Sequence, residues 1–461
     1  MASVINVGGP AAEGAEDHLA DVAWPSAKTG WYAVGVLAAA QAFSGLDRNI
    51  LNILVEPIKA DLGASDAQMG LLLGFAFAIF YTSMALPMGR LADRTTRRTV
   101  IGFGMTFWCA ATAACGLAWN YTALFFARMS VGIGESSLNP AAFSLISDYF
   151  PPKKRGAPLS VFIGSQAFGS AAALFGGGAI LQYFAVTGAQ ASLPLVGDLQ
   201  PWQVAFLCAA APGLIVAALL FTLREPDRKS LAMGQTSAGP KEDHASVADV
   251  IKHLKEEKGI YLPLFGGIAA LMFVEIGRGA WMPTFFMRAL EFQPAQVGVT
   301  MGTLALVLPP LAVLISGTVN ERLARTRKVG DAMFVAMATV ALQAPLMIAT
   351  TLVDSPALVV GLMIPQALVG IFPLVMAPAA IALVAPNRLR GQITAVYLLS
   401  INLIGYGLGP AFVGFLSDTV FTSPDGVRYS MAATSIIGMP IVVGLMFLAV
   451  LRINKRVTGV A

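Results

Sequence analysis

A short charged motif occurs twice in this chain, each time directly after a long apolar segment. Both copies place a glycine, an acid and two arginines at the same offsets: Gly89, Asp93, Arg94 and Arg97 in the first copy, and Gly317, Glu321, Arg322 and Arg325 in the second. A basic motif that ends in Arg-Gly also repeats, at Arg155 and at Arg390, with nearly the same separation. Two unrelated motifs that repeat in step indicate that the chain consists of two equivalent halves.

Composition assigns both halves to a membrane. Hydrophobic residues make up 56% of the chain, charged residues only 12%, and the mean hydropathy is +0.71. A soluble protein has roughly 45–50% apolar and about 25% charged residues, so this chain has too few charges for a solvated surface. A membrane chain built from two repeats is typical of a transporter whose binding site lies between the repeats.

The apolar segments predict twelve transmembrane helices, since a helix needs ~20 residues to cross a bilayer. The predicted spans are 31–57, 66–89, 98–119, 121–148, 156–184, 202–223, 260–288, 296–319, 329–351, 356–384, 389–417 and 429–452. We therefore predict an all-α polytopic membrane protein with two six-helix bundles related by pseudo-two-fold symmetry. Its predicted parts are a disordered cytoplasmic N-terminal tail (1–30), a first bundle (31–223), a cytoplasmic linker with a surface helix (224–259), a second bundle (260–453) and a cytoplasmic C-terminal tail (454–461).

Basic residues set the orientation of these spans. Lys and Arg are concentrated in the loops on one side, whereas the opposite loops hold few, such as Lys59, Arg288 and Arg428. Loops rich in Lys and Arg remain in the cytoplasm, which places both termini there. The first 29 residues lack an apolar segment, so we expect no signal peptide. These patterns predict a multi-pass protein of the bacterial inner (cell) membrane.

Six charged residues lie in the interior of the predicted spans, away from their ends, where charge is costly and therefore indicates function. They are Asp47 and Arg48 in the first span, Arg128 and Glu135 in the fourth, and Glu275 and Arg278 in the seventh. Asp47 and Arg128 fall at the same depth, which favours an ion pair between them. A second contact is then expected between Arg48 and Glu135.

Two interpretations of these charges remain open. They are either buried ion pairs that fix helix packing, or side chains that line a central cavity. In the second case the arginines attract an anionic headgroup, and Asp47 or Glu135 carries a proton, because apolar surroundings favour the neutral carboxyl. Predicted substrate contacts are Arg48, Arg128, Glu135, Glu275, Arg278, Asn402 and Tyr406. Other intramembrane polar residues that are candidates for this cavity are Asn49, Asn52, Asn139, Gln166 and Gln366.

At this point the residues resemble a known family. Residues 89–98 resemble the signature loop between the second and third spans of the major facilitator superfamily, although Arg97 stands where that loop often has glycine. Asp47-Arg48-Asn49 and residues 128–137 resemble the spinster-type lipid transporters of that superfamily. The resemblance implies alternating access and a lipid substrate with an anionic or zwitterionic head, such as sphingosine 1-phosphate or a lysophospholipid.

The resemblance also implies a latch between the halves on the cytoplasmic side. Asp93, Arg94 and Arg97 would meet the start of the eleventh span near Arg390 and hold that side closed. Residues predicted to form this conformational gate are Gly89, Asp93, Arg94, Arg97, Arg155, Glu321, Arg322, Arg325 and Arg390.

Three functions remain as hypotheses. The first is a secondary transporter of amphiphilic lipids, with H+ as a candidate coupling ion, and the second is a transporter of small hydrophilic organic anions. The third is a non-transporting membrane receptor, which the lack of a large soluble domain disfavours. An enzyme is not expected, since no nucleophile–base pattern, metal-ligand cluster or phosphate loop occurs. We expect no cofactor and no nucleic acid, only membrane lipids and substrate as partners of a functional monomer.

Overall fold

The structure is a computed structural model that describes residues 24–194, 196–228, 247–325 and 329–458. Most of the predicted N-terminal tail and half of the predicted linker therefore lie outside the described residues. The short loop at residues 326–328 also lies outside the described residues.

The described residues form the twelve predicted spans, which we number in chain order. Those of the first half are span 1 (Ala27–Ile53 and Val55–Leu62), span 2 (Asp66–Leu73 and Phe75–Arg94), span 3 (Arg97–Gly116), span 4 (Tyr121–Glu135 and Leu138–Tyr149), span 5 (Gly156–Thr187) and span 6 (Pro201–Phe221). A short 3-10 helix (Pro152–Lys154) precedes span 5, and two antiparallel strands (Ala191–Leu193 and Gly197–Leu199) follow it.

The second half begins after a surface helix, Val247–Glu256, which we call the linker helix. Its spans are span 7 (Lys258–Ala289), span 8 (Pro294–Arg325), span 9 (Val329–Leu352), span 10 (Pro356–Gly370 and Phe372–Val384), span 11 (Arg390–Ser400, a π-helix at Ile401–Leu408, and Gly409–Thr419) and span 12 (Gly426–Thr458). Spans 4 and 10, which correspond in the two halves, are both interrupted near their middle.

The helix ends differ slightly from the predicted boundaries. Span 1 begins at Ala27, inside the predicted tail, because the Ser26 hydroxyl accepts the Thr29 N–H (3.3 Å) as an N-cap. Span 12 continues to Thr458, past the predicted boundary at 454. Ten of the described helical segments are long and apolar enough to cross a membrane by themselves. The remaining two are spans 1 and 4, which carry four of the six intramembrane charges.

The two halves join on the side opposite the termini, which we call the far side. One apolar cluster fills the first half and continues into far-side residues of the second half, including Trp281, Phe285 and Val413. A separate cluster lies wholly within the second half and the linker helix. Spans 5 and 8 and the far-side parts of spans 2 and 11 supply most contacts between the halves. On the termini side, spans 10 and 11 pack mainly against their own half.

A buried glycine allows two helices of the first half to cross at very short distance. Gly169 of span 5 is buried against span 1, and a Cβ at this position would overlap the Ala42 carbonyl oxygen. Small residues at such crossings let two backbones approach, which is a main source of packing energy between helices in lipid.

This crossing generates a stability prediction. Gly169→Ala should lower the stability of the purified protein by about 1–3 kcal/mol, because the added methyl group forces spans 1 and 5 apart. Gly164→Ala is the matched control on the same helix, where a Cβ meets nothing within 4 Å. The midpoint of thermal unfolding in detergent measures both variants. Equal midpoints for the two variants would contradict the proposed crossing constraint.

Candidate functional site: a cavity between the two halves

A cavity of about 310 Å³ lies between the halves and is lined by both of them. The first half contributes the larger and more polar part of its wall. Its lining residues are Arg48, Asn49, Asn52, Leu73, Phe77, Arg128, Gln166 and Ser170 from the first half, and Ile276, Gly279, Ala280, Tyr406 and Pro410 from the second.

Arg48 is held at this wall by an acid and two aromatic rings. Its guanidinium lies 2.5 Å from Glu135 Oε1, and the Ser44 hydroxyl donates to the same oxygen at 2.6 Å. The guanidinium also lies over the rings of Phe77 and Tyr81, 4.8 and 4.6 Å from their centroids. Phe77 and Tyr81 are one helical turn apart and stack on each other, so they form one platform. The expected contact between Arg48 and Glu135 is therefore present.

Arg128 departs from the sequence prediction. Its guanidinium donates to the backbone carbonyl oxygens of Asp47 (2.8 Å) and Arg48 (3.4 Å), not to the Asp47 carboxylate. It is 2% exposed and lies 5.4 Å from the centroid of Phe77. The predicted Asp47–Arg128 ion pair is wrong because the two residues match in depth but the Asp47 side chain points elsewhere.

The Asp47 carboxyl faces span 3, beside Trp108 and Thr112. Asp47 Oδ1, Trp108 Nε1 and Thr112 Oγ1 are all buried without a hydrogen-bond partner among the described residues. Asp47 thus lies behind the cavity wall rather than on it.

Amides and hydroxyls connect spans 1 and 5 beside the arginines. Asn49 Nδ2 donates to Ser170 Oγ at 2.9 Å, and Gln41 Nε2 donates to Gln166 Oε1 at 3.0 Å. Tyr406, on the π-helix of span 11, faces them from the second half. Asn49, Asn52, Gln166 and Tyr406 were candidates from sequence, whereas Ser170 was not.

Four predicted substrate contacts do not line the cavity, and the first of them is Glu135, which is buried behind its partner Arg48. Glu275 accepts a hydrogen bond from Gln343 of span 9, and Arg278 donates to the Met347 carbonyl oxygen at 3.0 Å. Both therefore belong to a polar cluster within the second half. The depth of a residue along span 7 does not show whether its side chain faces this cluster or the cavity wall. Asn402 donates to the Leu398 carbonyl oxygen of its own helix at 2.9 Å.

The predicted latch is not formed in this structure. Asp93 and Arg94 are exposed and make no ion pair within the described chain. Arg97 instead is buried and binds Asp148 and Ser144 (2.8 Å) of span 4, and Glu225 (2.7 Å) at the start of the linker. Its role here is structural, because it ties the start of span 3 to the end of span 4.

Arg155 and Arg390, two further predicted gate residues, also make contacts within their own halves. Arg155 donates to the Phe150 carbonyl oxygen (3.0 Å), and Arg390 donates to the Ala382 carbonyl oxygen (2.6 Å). Glu321 and Arg322 are both exposed. Gly89 lies next to Pro140 of the same half. The side chain of Arg325 lies outside the described part of the chain.

Charges instead join the halves on the far side. Arg288 at the end of span 7 reaches across to the first half. Its guanidinium makes two hydrogen bonds of 2.9 Å to the Asp66 carboxylate and one of 2.9 Å to Glu56. Lys59 also pairs with Asp66, and the Ser417 hydroxyl of span 11 donates to it at 2.7 Å. A bidentate Arg–carboxylate pair is among the strongest polar contacts.

A second far-side contact uses the start of span 2. The Asp418 carboxylate accepts the backbone N–H groups of Asp66 (3.1 Å) and Ala67 (2.6 Å). Because the first N–H groups of a helix lack intrahelical partners, a carboxylate is favoured there. We call Glu56, Lys59, Asp66, Arg288, Ser417 and Asp418 the far-side cluster. Sequence reasoning missed it, although opposite charges at the ends of spans 1, 2, 7 and 11 were its visible sign.

Charged, polar and aromatic groups are available to a ligand in the cavity. Two arginines, amides and aromatic rings surround the cavity. In the parts of the chain that the structure describes, no group of three or more His, Cys, Asp or Glu side chains is placed to hold a metal ion.

Comparisons with known proteins agree with this architecture. Residues 37–410 match the family model described as Major Facilitator Superfamily. An MFS-type efflux pump of Mycolicibacterium smegmatis is 30% identical over 391 residues, which cover 85% of each protein. Protein spinster homolog 1 of Xenopus tropicalis is 25% identical over 391 residues, 81% of this chain and 70% of that protein.

A solved structure is similar along almost the whole chain. It is the crystal structure of a bacterial homologue of the human lysosomal transporter Spinster, in an inward-facing and unoccupied conformation. The TM-score is 0.80 at 25% identity, over 94% of this chain and 99% of that one. The twelve-helix fold and the resemblance to spinster-type transporters are thereby confirmed.

The far-side cluster generates a prediction about conformation. Asp66→Asn should shift the protein toward a state that is open on the far side. Loss of one partner from a buried charge pair costs about 2–5 kcal/mol, enough to change the population of two states. Spin labels at Trp119 and Ser423, in far-side loops of opposite halves, measure the separation.

Asp354→Asn is the matched control. It removes the carboxylate that pairs with Arg428 at 2.5 Å, also on the far side but within one half. An unchanged distance distribution in Asp66→Asn, or an equal change in the control, would contradict the gating role of the cluster.

Proposed function

The chain belongs to the major facilitator superfamily, and we propose that it moves an amphiphilic substrate with an anionic or zwitterionic head by alternating access. Sphingosine 1-phosphate and lysophospholipids represent this class of substrate. The observation that carries the proposal is the pair Arg48 and Arg128 at one wall of a cavity between the halves, next to an aromatic platform.

The cavity volume suits a headgroup and not a whole lipid. About 310 Å³ is at the low end of the ~300–1,000 Å³ range of ligand pockets. We therefore propose that the headgroup binds Arg48 and Arg128 while the acyl chain extends between the halves toward the termini side. Phe77 and Tyr406 offer apolar surface along that path.

The same volume supports the second candidate. A small hydrophilic organic anion would fit entirely within about 310 Å³ and would use the same arginines, with Asn49, Asn52 and Gln166 as hydrogen-bond partners. The two candidates differ in whether an acyl chain is needed for binding.

We propose that both termini are cytoplasmic, so that this conformation is inward-facing. The basic loops on the termini side support this orientation, as does the inward-facing relative of similar shape. When the far side opens, Asp93 and Arg94 are proposed to meet Arg390 and close the cytoplasmic side.

Proton coupling is proposed to use the acids behind the arginines. An anionic headgroup at Arg48 competes with Glu135 for the same guanidinium. Once Glu135 loses that partner, its carboxylate is buried and unpaired, and uptake of a proton restores neutrality. Asp47, enclosed by Trp108 and Thr112, is the second candidate carrier. Substrate binding and proton uptake would then favour each other, which is the basis of cotransport.

Substrate binding is tested by replacing Arg48, the more accessible of the two cavity arginines. Arg48→Ala should reduce transport of labelled lysophospholipid and sphingosine 1-phosphate in proteoliposomes at least tenfold, since a desolvated charge pair contributes about 2–5 kcal/mol. Arg452→Ala is the control, because Arg452 is exposed near the end of span 12. Lipid transport that survives in Arg48→Ala would refute the headgroup site. Transport of soluble anions alone would favour the second candidate.

Proton coupling is tested by neutralising Asp47. Asp47→Asn should leave substrate binding within about threefold of wild type, because Asp47 does not line the cavity, yet abolish the response of transport to a pH gradient. Glu135→Gln is measured beside it. A pH response that is unchanged in Asp47→Asn and lost in Glu135→Gln assigns the proton to Glu135. A response retained in both would remove both acids from that role.

A further inference from the structure

A second cavity system lies on the outer surface of the second half. Two cavities of about 420 and 320 Å³ follow spans 7, 11 and 12. They share Gly266, Ala269 and Ile404, so they form one continuous groove. None of their lining residues lines the central cavity.

The termini-side end of this groove is positively charged. Lys255 of the linker helix and Lys258 at the start of span 7 line it. Both are exposed, and neither makes an ion pair within the described chain. The adjacent acids are already engaged, since Glu256 lies 4.0 Å from Lys252 and Glu257 pairs with Arg456. Two free ammonium groups therefore remain at the mouth.

The rest of the groove is apolar. Its lining includes Leu262 and Ile437, which are exposed, and Phe412 and Val274 at its far end. From Lys258 to Val274 the helix rises ~24 Å. One leaflet has a hydrocarbon depth of ~15 Å plus its headgroup region. The groove thus begins with charge at the membrane surface and continues along the depth of one leaflet.

We propose that this groove holds a resident anionic phospholipid, with its phosphate at Lys255 and Lys258 and one acyl chain along Gly266, Ala269 and Ile404. Charge complementarity and the match to one leaflet identify the occupant. The proposal requires only that the chain spans a membrane, so it is independent of the transported substrate.

The position of this lipid connects it to the central cavity. Ile404 lines the groove and Tyr406 lines the central cavity, and both belong to the π-helix of span 11. An acyl chain against Ile404 therefore packs on the element that presents Tyr406 to the substrate.

Native mass spectrometry of the full chain in mild detergent tests the proposal. Phosphatidylglycerol and phosphatidylcholine with identical acyl chains are titrated separately. The wild type should bind phosphatidylglycerol more tightly, and Lys255→Gln/Lys258→Gln should weaken that binding about 10–30-fold, since each lysine near an anionic headgroup contributes about fivefold. Lys252→Gln is the matched control, because Lys252 lies on the same helix but does not line the groove.

A second variant tests the apolar part independently of charge. A Cβ on Gly266 has room, with Leu445 at 3.6 Å, so Gly266→Leu should fold and fill the groove. It should weaken binding of both lipids. Equal affinity of wild type and the double lysine variant, or an equal loss in Lys252→Gln, would overturn the proposal. Displacement of phosphatidylglycerol by an equimolar lysophospholipid would also overturn it, because the groove would then be a substrate site.

Discussion

The ion pair between Arg48 and Glu135 is the contact on which the centre of this protein depends. A guanidinium in the middle of a membrane protein is tolerated only with a partner, and Glu135 and the aromatic platform supply one. The pair also joins span 1 to span 4, the two spans with too few apolar residues or too short a helix to cross a membrane unaided. Stability and binding are therefore linked, because a ligand that binds Arg48 removes the partner of Glu135. The charge of Glu135 must then be balanced in another way.

The far side supplies the opposing constraint. Arg288 and Asp66 join the halves there, and the backbone of span 2 is capped by Asp418 from the other half. Gly414 allows this approach, since a Cβ would overlap the Asp66 carbonyl oxygen. Contacts this specific are either made or broken as a set, which favours two discrete arrangements of the halves over a continuum. The central ion pair and the far-side cluster can thus respond to each other without a direct contact.

The sequence was sufficient for the architecture because twelve apolar segments and a repeated motif are periodic features. It also predicted the Arg48–Glu135 contact, although only as the contact that remained after Asp47 had been assigned to Arg128. It failed for Asp47 and Glu275, because depth along a helix does not specify which neighbour a side chain faces. The predicted latch at Asp93 is not formed in this conformation, and a sequence does not specify which conformation a structure shows. The far-side cluster was missed because Asp66, Arg288 and Asp418 are isolated in sequence and meet only after folding.

The π-helix at Ile401–Leu408 has a consequence for how span 11 can move. Such a segment contains one more residue than an α-helix needs for the same length, which displaces every hydrogen bond by one position. An α-helix turns about 100° per residue. Relaxation of the segment to α geometry would therefore rotate the residues beyond it by about 100° around the helix axis. Side chains on the part of span 11 that turns would then face a different neighbour, so the wide turn couples the hydrogen bonding of this helix to the direction of its side chains.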